Sequence, residues 1–201
     1  MSDDSVIPLF PLHTVLFPGG PLPLRIFETR YLDMVRRCAR EERPFGVVLI
    51  QQGEEAGEVA TTATVGCAAR IVDFSTLPDG LLGIACVGGR RFRALRVWRE
   101  PDGLNMAEVS WLAIESEPPV PADCLWLRDA VSAAMRELSA QYEHVEKKFD
   151  DAAWIGFRLA ELLPLSLADR QALLEIDDPL RRLAVLRDLV PGEESGENGE
   201  R

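Results

Sequence analysis

Five prolines at positions 8, 11, 18, 21 and 23 restrict the fold of the N-terminal segment more than any other feature of the chain. Proline fixes φ and has no N–H, so none of these positions can lie inside a helix, and strands that carry them belong at sheet edges or in bends. Gly19-Gly20 supplies a turn between the strands. The first helix can begin only beyond the last of these prolines. The spacing predicts it over Glu28 to Glu42, with Tyr31, Val35 and Cys38/Ala39 on its buried face, and Pro44 closes it.

Downstream the pattern is β. Phe45–Ile50 is a short apolar strand, and residues 51–58 read as a polar loop. Strands are predicted at Thr61–Val65, Ala69–Phe74, Leu81–Val87, Phe92–Trp98 and Met106–Trp111. Pro78-Asp79-Gly80, Gly88-Gly89 and Pro101-Asp102-Gly103 supply turns between them. Strands this short and frequent predict a small barrel or a folded-over sheet.

The pattern changes at Glu117-Pro118-Pro119-Val120-Pro121, which reads as a stiff extended linker. A long helix follows, with a stripe of Leu127, Val131, Ala134, Leu138, Tyr142 and Val145. A second helix from about Asp151 carries Ile155, Leu159 and Leu162 and stops before Pro164. Ser166 and Asp169 resemble a capping box for a third, and Asp178-Pro179 opens a fourth that buries Leu183, Leu186 and Val190. The expected fold class is α+β: a β-rich subdomain over residues 1–117 with one helix near 28–42, a four-helix subdomain over 118–190, and a disordered acidic tail over 191–201. At 201 residues and 47% hydrophobic, the chain can build a core without metal or disulfide.

The net charge of −11 arises entirely in the second half, because acids and bases balance over the first hundred residues. Such a surface repels nucleic acid and anionic membranes, so neither is an expected partner. The cysteines at 38, 67, 86 and 124 form no CxxC pair, which excludes a zinc ribbon and a thioredoxin-type site. The acidic start (Asp3, Asp4) is unlike a signal peptide, and the aliphatic run Val47–Ile50 is too short to cross a bilayer. The expectation is a cytoplasmic protein with reduced thiols.

Catalytic chemistry finds little support. His13 has no acid near it in sequence, and His144 lies beside Glu143 and Glu146 without metal-ligand spacing. The two lysines, Lys147 and Lys148, are adjacent, surrounded by acids, and not preceded by glycine. They fit neither a Ser–Lys base nor a phosphate loop. No catalytic residue, metal or cofactor is expected. The arginine-rich run Arg90–Arg99, with Phe92 and Trp98, fits a strand with a solubilising outer face better than a nucleic-acid contact. Asp177-Asp178 reads as a helix start, not a metal site. Glu28, Arg30 and Tyr31 stand at the join between the proline-rich strands and the first helix, where an ion pair would fix the corner.

Several blocks carry a family resemblance: Ile7–Leu12 (IPLFPL), Val15–Gly19, Leu22–Val35, Phe45–Ile50, Val65–Ile71, Asp79–Ile84, Gly88–Arg93, Leu159–Leu165 and Gln171–Glu175. Together and in this order they resemble the N-terminal, substrate-binding domain of Lon proteases, across about residues 5–190. Thr29 departs from the family, which often has proline between the Glu and the Arg. The resemblance implies a PUA-like β pseudo-barrel followed by a helical bundle. It also implies binding rather than catalysis: in full-length Lon this domain helps to capture unfolded or degradation-tagged protein, and separate ATPase and protease domains do the work. The expected function is therefore a non-catalytic protein- or peptide-binding module, with unfolded or tagged segments and a proteolytic machine as partners. A PUA-like RNA-binding module is the alternative. The candidate apolar peptide site is Phe74, Leu77 and Leu81, around the Pro78-Asp79-Gly80 hairpin, together with Trp98.

Overall fold

The computed structural model of the chain describes residues 5–53 and 61–190. Its β part contains β1 (Val6–Leu12), β2 (Pro21–Ile26), β3 (Phe45–Gln52), β4 (Thr61–Thr62), β5 (Val65–Thr76), β6 (Leu82–Arg99) and β7 (Asn105–Trp111). Helix α1 (Thr29–Glu41) lies between β2 and β3. A 3₁₀ turn (Ala122–Cys124) then leads into α2 (Leu125–Glu137), α3 (Ala152–Leu162), α4 (Leu167–Glu175) and α5 (Pro179–Leu189). The expected tail, residues 191–201, lies outside the described residues.

The strand pairings close on themselves. β1 pairs with β7, β7 with β6, β6 with β5, β5 with β3, and β3 runs parallel beside β1. β2 joins β6 and β4 joins β3 outside that circuit. The prolines fit this arrangement in two ways. β2 has β6 as its partner and is an edge, as expected. β1, in contrast, has neighbours on both sides, and its register explains how it tolerates Pro8 and Pro11. Val6–Leu9 face β7 and Leu9–Leu12 face β3, so only Leu9 is flanked twice. Each proline sits in a half-strand with one neighbour, where a missing N–H breaks no two-sided ladder.

Gly88-Gly89 does not reverse the chain as the sequence suggested. Both glycines lie inside β6, a single 18-residue strand. Before them β6 runs between β2 and β5, and after them between β5 and β7. A Cβ on Gly88 would stand 2.0 Å from the Phe17 carbonyl oxygen. The Gly19 N–H donates to Gly88 O at 2.7 Å and the Gly88 N–H to Gly20 O at 2.8 Å. Glycine is needed here so that two backbones can touch. β5 begins four residues earlier than the expected Ala69, the strand expected at Thr61–Val65 shrinks to β4, and register shifts between Cys67 and Ala69 and between Ile71 and Asp73 absorb the irregularity in β5.

α1 buries Tyr31, Met34, Val35 and Cys38, and the Tyr31 ring stacks on Phe10 with centroids 3.9 Å apart. The helix ends in a left-handed Glu42 at φ 52°. α2 stops at Glu137, short of the predicted Val145. The chain then passes through turns over residues 138–144, which carry Tyr142 and Val145 into the core and leave Leu138 exposed. The Tyr142 hydroxyl donates to Glu161 at 3.2 Å, a contact that a continued helix was not required to make. The segment around Val120 is not a free linker. The Val120 N–H donates to Asp150 O, and the Ala152 N–H to Pro118 O.

α3 is buried on all sides, Arg158 included, with α2, α4 and α5 packed around it. Asp151, Ser166 and Asp178 accept backbone N–H groups in the first turns of α3, α4 and α5, so each helix starts where its capping residue predicts. The apolar cluster around α3 also takes in Val15, Phe17, Leu49, Val65 and Val87 from the β part. Sheet and helices thus share this cluster along a seam, while two further clusters lie within the β part. Phe17 against Phe157, 5.7 Å between centroids, lies at the centre of the seam.

Candidate functional site: the cleft along the seam

One cavity of ≈ 450 Å³ opens along this seam, and a second of the same volume adjoins it within the β part. The first has Val87, Ile114, Trp154 and Phe157 among its apolar lining and His144, Glu146 and Lys148 among its polar lining. The second is lined by Ile7, Pro44, Ala68 and Trp111, with Glu42 and Arg43. Arg70, Gly89 and Arg90 line both and form a waist between them. The waist follows from local backbone geometry. Cys67 faces Arg91 and Ala69 faces Gly88, so Gly89 and Arg90 stand opposite Ala68 alone. Such a bulge re-aims the side chains it carries.

The arginines of this region divide into engaged and available. Arg91 turns into the body of the protein and reaches Leu174 O, Asp177 and Glu115 at 2.6, 2.9 and 2.8 Å. Arg182 grips the same Glu115 with both Nη groups, at 2.6 and 2.8 Å, and also donates to Leu173 O and Ile176 O. Burial lowers the Arg182 pKa from its ordinary value, against the pull of Glu115. Arg90 is held by one bond, Nε to Leu112 O at 2.7 Å, with its guanidinium over the Trp111 ring. Arg70 is exposed and has no hydrogen bond or ion pair among the described residues.

Beneath the first cavity, Arg158 is 0% exposed. Its Nη2 donates to Pro18 O at 2.9 Å and to Glu161 at 2.8 Å. Its Nε and Nη1, and the Trp154 indole Nε1, are buried without a partner among the described residues. A Cβ on Gly19 would sit 3.3 Å from Arg158 Nη1 and 3.7 Å from Trp154 Nε1, so both donors lie against the chain that lines the cavity. Burial pushes the Glu161 carboxyl up to about 7, opposed by the Arg158 charge, and pushes the Tyr142 hydroxyl up as well.

Groups that could carry catalysis are arranged otherwise. His13 is exposed, and His144 Nε2 stands 3.8 Å from Asp73 in an exposed pair. Lys148 bonds Glu117 at 2.6 Å, which raises its pKa, the opposite of what a lysine base requires. All four cysteines are free and buried. Burial raises each thiol, to about 11 at Cys38 and about 12 at Cys67 and Cys86, so none is a ready nucleophile. Among the described residues no group of three or more His, Cys, Asp or Glu could hold a metal ion. No helix there is long and apolar enough to cross a membrane.

Phe74, Leu77 and Leu81 come together at the β5–β6 hairpin: Phe74 is 50% exposed, and the Leu77 N–H donates to Leu81 O. Trp98 stands at the opposite end of β6, paired with Met106, under the Arg96 guanidinium and bonded to Glu100. None of the four lines the seam cleft. Glu28 and Arg30 form an ion pair at 2.8 Å. Arg30 also lies over the Tyr31 ring and donates to Gly103 O, tying α1 to the β6–β7 turn. Trp154, Arg158 and Glu161 are not among the residues expected from the sequence. The available signal was an arginine inside the apolar run Ala152–Leu163, with an acid three residues on.

The chain matches the family model described as the ATP-dependent protease La (LON) substrate-binding domain over residues 6–191. It is 41% identical to a solved Lon N-terminal domain protein from Xanthomonas campestris, with a TM-score of 0.77, covering 92% of this chain and 99% of that one. The N-terminal domain of a Mycobacterium avium complex Lon protease shares the fold at a TM-score of 0.60 and 18% identity. Among curated relatives, a Lon protease of Cytophaga hutchinsonii is 28% identical over 92% of this chain, and Lon protease 2 of Myxococcus xanthus is 25% identical over 92%. The chain spans about a quarter of the length of those relatives, 24% and 23%. The match over nearly the whole chain places this protein in the Lon substrate-binding domain family.

Proposed function

We propose that this chain is a non-catalytic recognition module that binds unfolded or tagged polypeptide segments and can present them to a proteolytic machine. One observation carries the reading: a two-chambered cleft with apolar lining and polar edges, running from the sheet–helix seam onto the β part of a substrate-binding-domain fold. Exposed apolar side chains are what distinguish an unfolded chain from a folded one, and such a cleft can accept them. Phe74, Leu77, Leu81 and Trp98 are proposed as secondary apolar contacts outside it. We further propose that the closed circuit of strands is a PUA-like pseudo-barrel, that residues 1–117 and 118–190 are its two subdomains, and that four buried, reduced thiols suit a cytoplasmic setting.

The RNA-binding alternative has less support. Arg91 is engaged with Glu115 and Asp177, Arg96 lies near Glu108, and Arg99 bonds Gly103 O, so much of the basic run is already partnered. Fluorescence anisotropy with the unfolded and folded forms of one labelled protein, at low and high salt, tests the choice. Selective, salt-tolerant binding of the unfolded form is expected. Binding to neither form, or tight RNA binding that falls steeply with salt, overturns the reading.

A further inference from the structure

From the waist of the seam cleft we infer that the module prefers extended segments in which an acidic side chain lies within two residues of a bulky apolar one. The inference rests on the polypeptide-binding reading and adds the chemical class of segment. Arg70 and Arg90 line both chambers. Arg70 has no partner among the described residues, and Arg90 is oriented by a single Nε bond to Leu112 O. Two guanidiniums projecting from adjacent strands across a bulge present planar donors suited to a carboxylate.

The flanking acids are mostly occupied. Glu115 is held by Arg91 and Arg182, Glu117 by Lys148, and Asp151 caps α3. Glu42 and Glu146 stand in different chambers and not at the waist, which directs an acidic side chain to its centre. The adjoining chamber offers Val87, Ile114, Trp154 and Phe157 to an apolar side chain. In an extended segment, residues i and i+2 lie on one face about 7 Å apart, so one segment can fill both positions. A polyphosphate backbone fits less well, because the net charge is −11 and the second half of the chain holds all of it.

The test is anisotropy with three matched, labelled peptides in a Gly/Ser/Ala background, containing Leu-Ala-Glu, Leu-Ala-Gln or Leu-Ala-Lys, plus a single-stranded oligonucleotide of similar length as competitor. The wild-type chain is expected to bind the Glu peptide about fivefold to tenfold tighter than the Gln peptide, as a charge-assisted hydrogen bond in a half-open site allows. R70Q should remove that preference, so that the Glu and Gln peptides bind equally. Gly89→Leu should weaken all three by placing a side chain in the waist, where an added Cβ meets only Ala68 at 3.5 Å or more. Should Gly89→Leu fail to fold, Ile114→Ser serves instead, since Ile114 is 82% exposed. Equal wild-type affinity for the Glu and Gln peptides, a preference that survives R70Q, or stronger competition by the oligonucleotide each overturns the inference. If unfolded protein still binds and Ile114→Ser weakens it, the polypeptide-binding reading stands without the acidic preference. If the wild-type chain binds no unfolded protein, both fall.

Discussion

Glu115 joins three elements, and replacing it by Gln tests whether they are joined by charge. Its carboxylate accepts from Arg91 of β6 and from both Nη groups of Arg182 on α5, while Glu115 itself follows β7. Arg91 is 3% exposed, Arg182 0% and the Glu115 side chain 9%. Glu115→Gln keeps the size and one acceptor but leaves two buried guanidiniums facing each other. Removing one partner of a buried pair costs about 3–5 kcal/mol, because the remaining charge cannot regain its water. Arg91 keeps Asp177, although that carboxylate is largely exposed, so the lower half of the range is expected, about 3–4 kcal/mol. In a chain of this size that corresponds to a fall in Tm of roughly 6–16 °C. Urea unfolding at neutral pH, followed by tryptophan fluorescence, reads the loss as a lower midpoint at unchanged slope. Glu115→Leu combined with Arg182→Met, which removes charge on both sides, should recover at least half of it. A loss below about 1 kcal/mol for Glu115→Gln would refute the reasoning, since it would mean that the guanidiniums are solvated.

Two further perturbations probe the seam. The folded-state pKa of Glu161 is raised from 4.5 to about 7 by burial, so the folded protein holds this proton more tightly than the unfolded chain does. Its contribution to stability is complete below pH 4.5 and fades as the pH rises to about 7, by at most about 3 kcal/mol. Relative to Glu161→Gln, the wild type should therefore lose stability between pH 4.5 and 7; a difference that is flat or grows in the other direction contradicts this. Gly88→Ala should cost at least about 2 kcal/mol, because its Cβ meets the Phe17 carbonyl at 2.0 Å, while Gly89→Ala should be nearly neutral. Equal effects in the two melting curves would show that the Phe17–Gly88 contact is not tight.

The order of elements was legible because short-range chemistry sets it. Pro44 and a left-handed Glu42 stop α1, and Asp151, Ser166 and Asp178-Pro179 start the three last helices where their caps stand. The errors arose where a residue answers to something distant in sequence. Gly88-Gly89 has the composition of a turn, yet its need for glycine comes from Phe17, about seventy residues earlier. The stripe from Leu127 to Val145 satisfies helical periodicity throughout, but the chain leaves the helix at Glu137 and Tyr142 reaches Glu161 by another path. The seam cleft was illegible for the same reason. Its waist joins Arg70 to Arg90 across a bulge, and its wall brings Trp154 beside Gly19. Exposed apolar residues in one hairpin, such as Phe74, are easier to see in a sequence than a cavity assembled from segments far apart.

The four tryptophans provide the most direct test that polypeptide binds in the seam cleft. Trp154 lines the first chamber and Trp111 the second, while Trp98 and Trp126 bond Glu100 and Asp123 O on other surfaces. In a ¹H–¹⁵N spectrum each indole N–H gives its own resonance, and an unlabelled unfolded protein can be titrated against all four at once. The Trp154 indole, whose Nε1 has no partner among the described residues, should shift most, with Trp111 following and Trp98 and Trp126 unmoved. Shifts at Trp98 or Trp126 with Trp154 and Trp111 still would place binding elsewhere and contradict the account.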